Sequence, residues 1–247
     1  MAPRRIVSLV PSQTELLWFL GLENQVVGIT KFCVHPREWL AKKTIIGGTK
    51  NIHLDKVKAI NADLVIANKE ENVKEQVEAL AKDHPVWVTD VNNLEEALEM
   101  IRDIGQLTHR REKAEQLAAE IGLSFSEIEK ITFTVKTAYL IWRNPLMAVG
   151  ANTFIHDMLS RCGFHNIFDQ RSRYFEITAE DLRELNCELL FLSSEPYPFK
   201  DQHIQELQSL LPTTKIMLAD GELFSWYGSR LLQSPKYFNR LIAEIEI

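Results

Sequence analysis

Short apolar segments alternate along this sequence with longer segments of helical periodicity. The apolar segments have the length of buried strands and lie at residues 6–10, 26–30, 64–67, 86–89, 136–142, 189–192 and 215–218. The helical segments lie at residues 14–20, 55–61, 72–82, 94–107, 153–161, 179–185, 202–210 and 229–244. Ser12 is expected to cap the first helix and Gly21 to end it. This alternation predicts an α/β fold with mainly parallel sheets covered on both faces.

A longer helical stretch interrupts the alternation near the middle of the chain. Its apolar residues recur at spacings of three and four and form one stripe, which comprises Leu117, Ile121, Phe125 and Ile128. At 1.5 Å per residue, roughly 22 residues would extend about 33 Å, enough to connect two lobes. The predicted organisation is an N-terminal lobe at 1–108, an interlobe helix at 109–131 and a C-terminal lobe at 132–247.

The two halves of the chain carry matching segments. Residues 60–70 read INADLVIANKE and align without a gap on residues 185–195, which read LNCELLFLSSE. A second match pairs residues 21–24, GLEN, with residues 163–166, GFHN. Either many α/β units enter a buried strand in this way, or the two lobes are duplicates, and we favour duplication.

The longer match places Glu70 and Glu195 at equivalent positions just past two strands, and Glu71 is an adjacent candidate. Acids at such positions are ordinarily solvated loop charges. One acid on each lobe could instead contact a partner that carries basic sockets, and we expect such acids to be exposed.

Composition and motifs argue against several classes of protein. A formal net charge of −6 disfavours nucleic acid as a partner, because phosphate recognition requires concentrated positive charge. No apolar run is long enough to span a bilayer. The sequence has no G-x-S-x-G, phosphate-binding loop or H-E-x-x-H motif, so we predict that the protein is not an enzyme and has no catalytic residue. We also predict that it is a monomer.

Cysteine and histidine usage gives no sign of a metal site. Cys33, Cys162 and Cys187 are an odd set with apolar neighbours, which favours free buried thiols in a reducing compartment. No C-x-x-C occurs, and the seven histidines are scattered. A metal site would need three or four converging ligands, so none is predicted.

Aromatic residues cluster after the predicted strands. Trp142 ends one strand, Tyr174 lies in a predicted loop, and Trp226 and Tyr227 follow the last strand. Ligands of parallel α/β sheets gather beyond the carboxyl ends of strands, so these rings favour a wide and partly apolar ligand. The alternative is that such rings only fill the core of a lobe.

The N-terminal segment at 5–17, RIVSLVPSQTELL, resembles a known receptor family when it is taken with LGL at 20–22, VVGIT at 26–30, ADLVI at 62–66 and the long linking helix. The family is that of the ABC-transporter substrate-binding proteins for cobalamin and ferric siderophores, and the cobalamin branch is most similar. The resemblance implies two Rossmann-like lobes joined by one long rigid helix, with a ligand in the cleft between them.

The resemblance also implies roles for particular residues. Aromatic cleft residues grip the corrinoid in cobalamin receptors, and the counterparts here would be Phe32, His35, Trp142, Tyr174 and Trp226. Receptors of this family dock onto an ABC permease through one glutamate on each lobe, which the internal match assigns to Glu70 and Glu195. The ligand would be a non-covalently bound cobalamin or a related metal chelate.

Three alternatives stay open at this level. A ferric-siderophore or haem receptor is kept open by Arg143, Arg171, Arg173 and Arg230, which suit an anionic chelate. A cytoplasmic corrinoid-binding protein without a transporter is the second alternative, and a metal-dependent enzyme on the same fold is the least supported. The first strand follows MAPRR without an export signal or an anchor cysteine, so the protein is periplasmic if a signal was removed and cytoplasmic if the sequence is complete.

Overall fold

The computed structural model describes residues 2–131 and 133–245, which divide into two compact units. Unit 1 contains residues 2–91, Glu95–Leu123 and Tyr227–Leu232. Unit 2 contains Asn92–Leu94, residues 124–226 apart from Thr132, and residues 233–245. Residue 1 of the predicted N-terminal lobe, and Thr132 and residues 246–247 of the predicted C-terminal lobe, lie outside the described residues.

Unit 1 is built on a parallel sheet of five strands in the order β3-β2-β1-β4-β5. The strands are β1 (Ile6–Ser8), β2 (Val26–Ile29), β3 (Thr44–Ile45), β4 (Leu64–Asn68) and β5 (Val86–Thr89). The helices are α1 (Pro11–Phe19), α2 (Trp39–Lys42), α3 (Leu54–Ile60), α4 (Lys74–Ala81), α5 (Leu94–Leu107) and α6 (Arg111–Ser126). The first residue of α5 and the last three residues of α6 belong to unit 2. Strands β1 and β4 are buried throughout, as their continuous apolar sequences predict.

Unit 2 is built on a mixed sheet in the order β11-β10-β6-β7-β9, and β8 also pairs with β6. The strands are β6 (Lys136–Trp142), β7 (Leu146–Val149), β8 (His165–Asn166), β9 (Tyr174–Ile177), β10 (Leu189–Ser193) and β11 (Lys215–Ala219). The helices are α7 (Phe154–Arg161), α8 (Ala179–Glu184), α9 (Asp201–Leu210), α10 (Gly221–Ser225) and α11 (Ser234–Ile245), and a 3₁₀ helix spans Ser229–Leu232 in unit 1. Strand β7 is antiparallel to both of its neighbours, β6 and β9.

The predicted α/β class with mainly parallel sheets is confirmed, but several elements differ from prediction. Ser12 does not cap α1, because Pro11 already occupies the first helical turn and Ser12 lies inside the helix. The single helix predicted at 229–244 is two elements, since the 3₁₀ helix belongs to unit 1 and α11 begins only at Ser234. Strands β7 and β9 were not predicted.

The predicted interlobe helix at 109–131 is shorter than expected. His109 has a left-handed backbone (φ 57°) that separates α5 from α6, so the helix begins at Arg111. It ends at Ser126, where Glu127 N donates to Ser124 O and Ile128 N to Phe125 O in tight three-residue turns. Its 16 residues rise about 24 Å. The predicted stripe is buried along its whole length.

The internal match of the sequence corresponds to a repeated structure. Asn61 and Asn186 adopt the same left-handed conformation, with φ of 53° and 54°, after α3 and α8. The acid two residues later then accepts from a backbone amide at or just before the start of the neighbouring strand. Arg5 N, just before β1, donates to Asp63 Oδ1 (2.9 Å), and Lys136 N, the first of β6, donates to Glu188 Oε2 (2.7 Å). This shared arrangement supports duplication over coincidence.

Candidate functional site

A buried polar network joins the carboxyl ends of β1 and β2 in unit 1. Thr14 Oγ1 lies 2.8 Å from Ser8 Oγ and 3.1 Å from Cys33 Sγ, and Thr30 Oγ1 lies 3.2 Å from the same sulfur. All four side chains are fully buried. Burial raises the pKa of the Cys33 thiol, against the opposing effect of its hydrogen bonds to Thr14 and Thr30. Cys33 is therefore a neutral structural thiol that orders the loop carrying Phe32 and His35.

A second network orders the loop after β4. Asn68 Oδ1 accepts from the backbone amides of Glu70 (2.8 Å) and Glu71 (3.1 Å). Asn72 Oδ1 in turn accepts from Asn68 N, and Asn72 Nδ2 donates to Thr49 O (3.1 Å) in the loop after β3. Buried amide side chains thus fix the backbone of the loops at this edge of the sheet.

Phe32 and His35 lie in the loop that follows β2. Phe32 is 50% exposed, a Cβ atom at Gly48 would lie 3.0 Å from its ring, and Lys31 Nζ lies 5.1 Å from the ring centre. His35 is half-buried. Phe32 therefore offers an open aromatic face at the carboxyl edge of the sheet of unit 1.

Trp142 is the last residue of β6 and is 39% exposed. Its ring packs edge-on against Tyr197, with ring centres 5.6 Å apart, and its indole Nε1 donates to Asn144 O (3.2 Å). Tyr197 is in turn supported by Phe199 (4.8 Å) and by His203 (5.5 Å). Tyr197 was not among the predicted aromatic residues, because its contact with Trp142 joins residues that are 55 positions apart and leaves no local signal in the sequence.

Tyr174 differs from prediction, because it begins strand β9 and does not lie in a loop. It pairs with Val149 of β7 and is half-buried. The preceding Arg173 donates to Asn92 Oδ1 (2.7 Å) and to Asn152 O (2.9 Å), which fixes the entry to the strand. The antiparallel pairing of β9 thus determines the position of this aromatic residue.

Trp226 and Tyr227 are both buried, each with 7% of its surface exposed. Trp226 Nε1 donates to Glu195 Oε1 (2.7 Å), so this indole already has a hydrogen-bond acceptor within the protein. Of the predicted aromatic residues, these two match the core-filling interpretation most closely, whereas Phe32 and Trp142 keep accessible faces.

The three candidate docking acids are less exposed than predicted. Glu70, Glu71 and Glu195 are all half-buried. Burial raises the pKa of Glu71, with Lys50 opposing and Glu70 adding to that shift. Glu195 is engaged by Trp226 and Ser225. The expectation of free loop charges was wrong because a matched backbone position does not determine where a side chain points.

The basic residues considered for an anionic ligand have partners within the fold. Arg143 forms an ion pair with Glu206 (2.6 Å), and the guanidinium of Arg171 stacks over the ring of Phe175 at 3.6 Å. Arg230 forms a two-pronged ion pair with Glu15. An arginine that is already paired recognises an added anion less readily than a free one.

The ion pair between Glu15 and Arg230 lies inside unit 1. Arg230 Nε donates to Glu15 Oε2 (2.9 Å) and Nη2 to Oε1 (2.7 Å), and the two side chains are only 10% and 13% exposed for Glu15 and Arg230. It connects α1 to the 3₁₀ helix, which are 215 residues apart in the sequence. This pair therefore attaches the segment Tyr227–Leu232 to the first helix of unit 1.

Within residues 2–131 and 133–245, no group of three histidine, cysteine or carboxylate side chains is placed to hold a metal ion. Nor does any helix of this described part combine the length and apolar character needed to cross a membrane. Cys33, Cys162 and Cys187 are free and buried, and burial raises the pKa of Cys162 and Cys187 to about 12.

Comparison with known proteins shows which family has this arrangement. Residues 6–213 match the family described as periplasmic binding protein. A Bacillus subtilis protein named as an uncharacterized ABC transporter substrate-binding lipoprotein, YvrC, is 29% identical over 74% of this chain, and the match spans 62% of that relative's length. A Pectobacterium atrosepticum protein named vitamin B12-binding protein is 23% identical over 99% of this chain and 90% of its own.

A solved structure shares the fold at still lower identity. The periplasmic haem-binding protein HutB of Vibrio cholerae superposes with a TM-score of 0.81 at 19% identity, over 96% of this chain and 98% of that one. The family resemblance found in the N-terminal segment is thereby confirmed. The chain belongs to the periplasmic binding protein family, a family of solute-binding proteins.

Proposed function

We propose that the chain is the substrate-binding protein of an ABC-type uptake system and that its ligand is a corrinoid. The ligand is bound reversibly and without a covalent bond, and the receptor works outside the cytoplasmic membrane, where an uptake system collects its substrate. The alignment of 99% of the chain with a relative named vitamin B12-binding protein supports this choice of ligand.

The observation that carries the proposal is the pair of accessible aromatic faces at carboxyl ends of strands. Phe32 follows β2 and Trp142 ends β6, and they are 50% and 39% exposed. Trp142 is held against Tyr197, so its orientation is fixed before a ligand arrives. A broad, partly apolar metal chelate that stacked on such a ring would remove its apolar surface from water.

A ferric-siderophore or haem ligand remains the second candidate, and the similarity to the haem-binding protein HutB supports it. An anionic chelate would need cationic side chains, but Arg143 and Arg230 are already in ion pairs. Haem would also need an axial ligand such as histidine or tyrosine, for which His35 and Tyr174 are the half-buried candidates. The paired arginines favour the corrinoid.

A visible-spectrum titration with cyanocobalamin, ferric desferrioxamine and haemin separates these ligands. We expect saturable binding of cyanocobalamin at one site per chain. Trp142→Ala should weaken it by about 1–2 kcal/mol, roughly 5–30-fold in Kd. Trp18→Ala is the matched control, because Trp18 is 45% exposed and lies near the C-terminal end of α1, the end farther from the carboxyl end of β1. This variant should leave the affinity for cyanocobalamin unchanged. Binding of haemin or the siderophore without cyanocobalamin would reject the corrinoid.

The permease-docking role calls for exposed acids, one on each unit. The register that aligns residues 60–70 with 185–195 also aligns Asp55 with Glu180, at the second positions of α3 and α8. Both acids are exposed, unlike Glu70 and Glu195. Asp55 and Glu180 therefore fit a partner with basic sockets better than the acids first proposed.

Association with the cognate permease tests the two pairs against each other. Asp55→Ala and Glu180→Ala should slow association by about tenfold at low salt, and the effect should shrink as salt is added because exposed charges are screened. Ligand affinity and stability should not change, since exposed charges contribute little to folding. Slower association in Glu70→Ala and Glu195→Ala, with none in the other pair, would restore the first assignment.

A further inference from the structure

Glu195 lies at the centre of a closely packed cluster at the carboxyl end of β10. Its backbone amide donates to Ser193 Oγ (3.3 Å), and Ser193 Oγ also lies 3.1 Å from Tyr139 Oη, which is fully buried. The loop backbone that carries Glu195 is therefore fixed from the side of the core.

The carboxylate of Glu195 turns toward the segment that follows α10. Oε1 accepts the indole N–H of Trp226 at 2.7 Å and lies 2.9 Å from Ser225 Oγ. A hydrogen bond from a neutral donor to a half-buried carboxylate is stronger than one between neutral groups. Two adjacent residues, 30 and 31 positions away in the sequence, are thus held by one oxygen of the Glu195 side chain.

The space for this carboxylate depends on a residue without a side chain. A Cβ atom at Gly221 would lie 2.5 Å from Glu195 Cγ and 2.6 Å from Ser193 Oγ, closer than such atoms approach. Gly221 N also donates to Ser194 Oγ (2.8 Å), which draws the start of α10 against the same loop. The cluster is shaped around the Glu195 side chain.

From this geometry we propose that Glu195 is a positioning residue. Its carboxylate holds Trp226, the residue between α10 and Tyr227, in the position that ligand binding requires. The inference rests on the proposed function for its effect on ligand affinity. It gives Glu195 an inward role in place of docking, consistent with its half-buried side chain.

The test uses the full chain and five substitutions. Glu195→Ala removes the acceptor, Glu195→Gln keeps an acceptor without the charge, and Trp226→Phe keeps a ring without the N–H. Glu184→Ala is the matched control, because Glu184 is an exposed glutamate of the same unit at the end of α8. Gly221→Ala is a second, independent way to displace the carboxylate.

The indole N–H signals in a ¹H–¹⁵N spectrum report the hydrogen bond without any ligand. The chain has five tryptophans, and the Trp226 signal is the one lost in Trp226→Phe. We expect it to shift and to exchange faster with water in Glu195→Ala and Gly221→Ala, to shift less in Glu195→Gln, and to stay in place in Glu184→Ala. An unmoved Trp226 signal in Glu195→Ala would overturn the proposal.

Affinity for cyanocobalamin gives the functional half of the test. Glu195→Ala should bind about fivefold to tenfold more weakly, Glu195→Gln should recover most of that loss, and Glu184→Ala should match the parent protein. Equal losses in the Ala and Gln variants would reject positioning through the hydrogen bond. If the parent protein binds no cyanocobalamin, the corrinoid proposal fails, and the indole signals alone decide whether Glu195 holds Trp226.

Discussion

The ion pair between Glu15 and Arg230 gives the sharpest stability prediction. Its two hydrogen bonds are 2.9 and 2.7 Å long, and its side chains are 10% and 13% exposed, so either charge left alone would be poorly hydrated. Removing one partner of a buried pair costs about 3–5 kcal/mol, and the residual exposure lowers the expected cost here to about 2–4 kcal/mol. For a chain of this size that corresponds to a fall in Tm of roughly 5–15 °C.

Thermal and urea unfolding of Glu15→Leu, Arg230→Met and the double variant check this prediction. Each single variant should lose stability by the amount given, whereas the double variant should be more stable than either single one, because no unpaired charge remains. The coupling between the two sites should therefore exceed about 1 kcal/mol in a double-mutant cycle. Additive losses, or single-variant losses below about 1 kcal/mol, would refute the view that desolvation of an unpaired charge dominates.

Two further predictions concern local features. Because burial raises the pKa of Glu71, the folded chain binds a proton more tightly there than the unfolded chain, and stability should fall as pH rises from the ordinary carboxyl range through the raised pKa. Glu71→Gln should remove that part of the pH dependence of stability and stabilise the protein at about pH 7. Urea unfolding midpoints at about pH 5 and about pH 7 measure the effect, and the same pH dependence in the parent protein and the variant would contradict the prediction. Thr178→Ala should lower the free energy of unfolding by about 1 kcal/mol, because Thr178 caps α8. His53→Thr should raise it by up to about 1 kcal/mol, because His53 at the equivalent position of α3 provides no side-chain cap. Urea unfolding measures both changes, and effects of the same sign would exclude the capping argument.

The elements predicted well from sequence are those whose burial is continuous or whose periodicity is long. Strands β5 and β6 and helix α5 have the predicted bounds, because their apolar patterns are interrupted sharply at both ends. Strands β7 and β9 were missed because they alternate weakly and depend on antiparallel pairing with each other. Pairing between distant segments leaves little trace in a local pattern.

The sequence indicates where candidate residues lie more readily than how their side chains are oriented. Trp142 ends a predicted strand and Phe32, implied by the resemblance, lies in a loop, and both rings are accessible, but their contact with a ligand stays a prediction. The direction of the Glu195 side chain was not predictable, because it is set by Trp226, whose partner cannot be inferred from spacing alone. The internal repeat contained a better signal for exposed acids, at Asp55 and Glu180, one helix earlier in each copy.

The return of Tyr227–Leu232 to unit 1 has a consequence for how the protein forms during synthesis. The ribosome releases residues 2–123 long before this segment, yet Glu15 near the start must wait for Arg230 near the end. The first unit therefore leaves the ribosome with an unpaired acid on α1 and an unfilled packing surface. Contacts of such long sequence separation form late and slowly. Residues 227–232, made near the end of synthesis, thus complete the first unit, and a nascent chain that stalls before Tyr227 would hold two incomplete folding units.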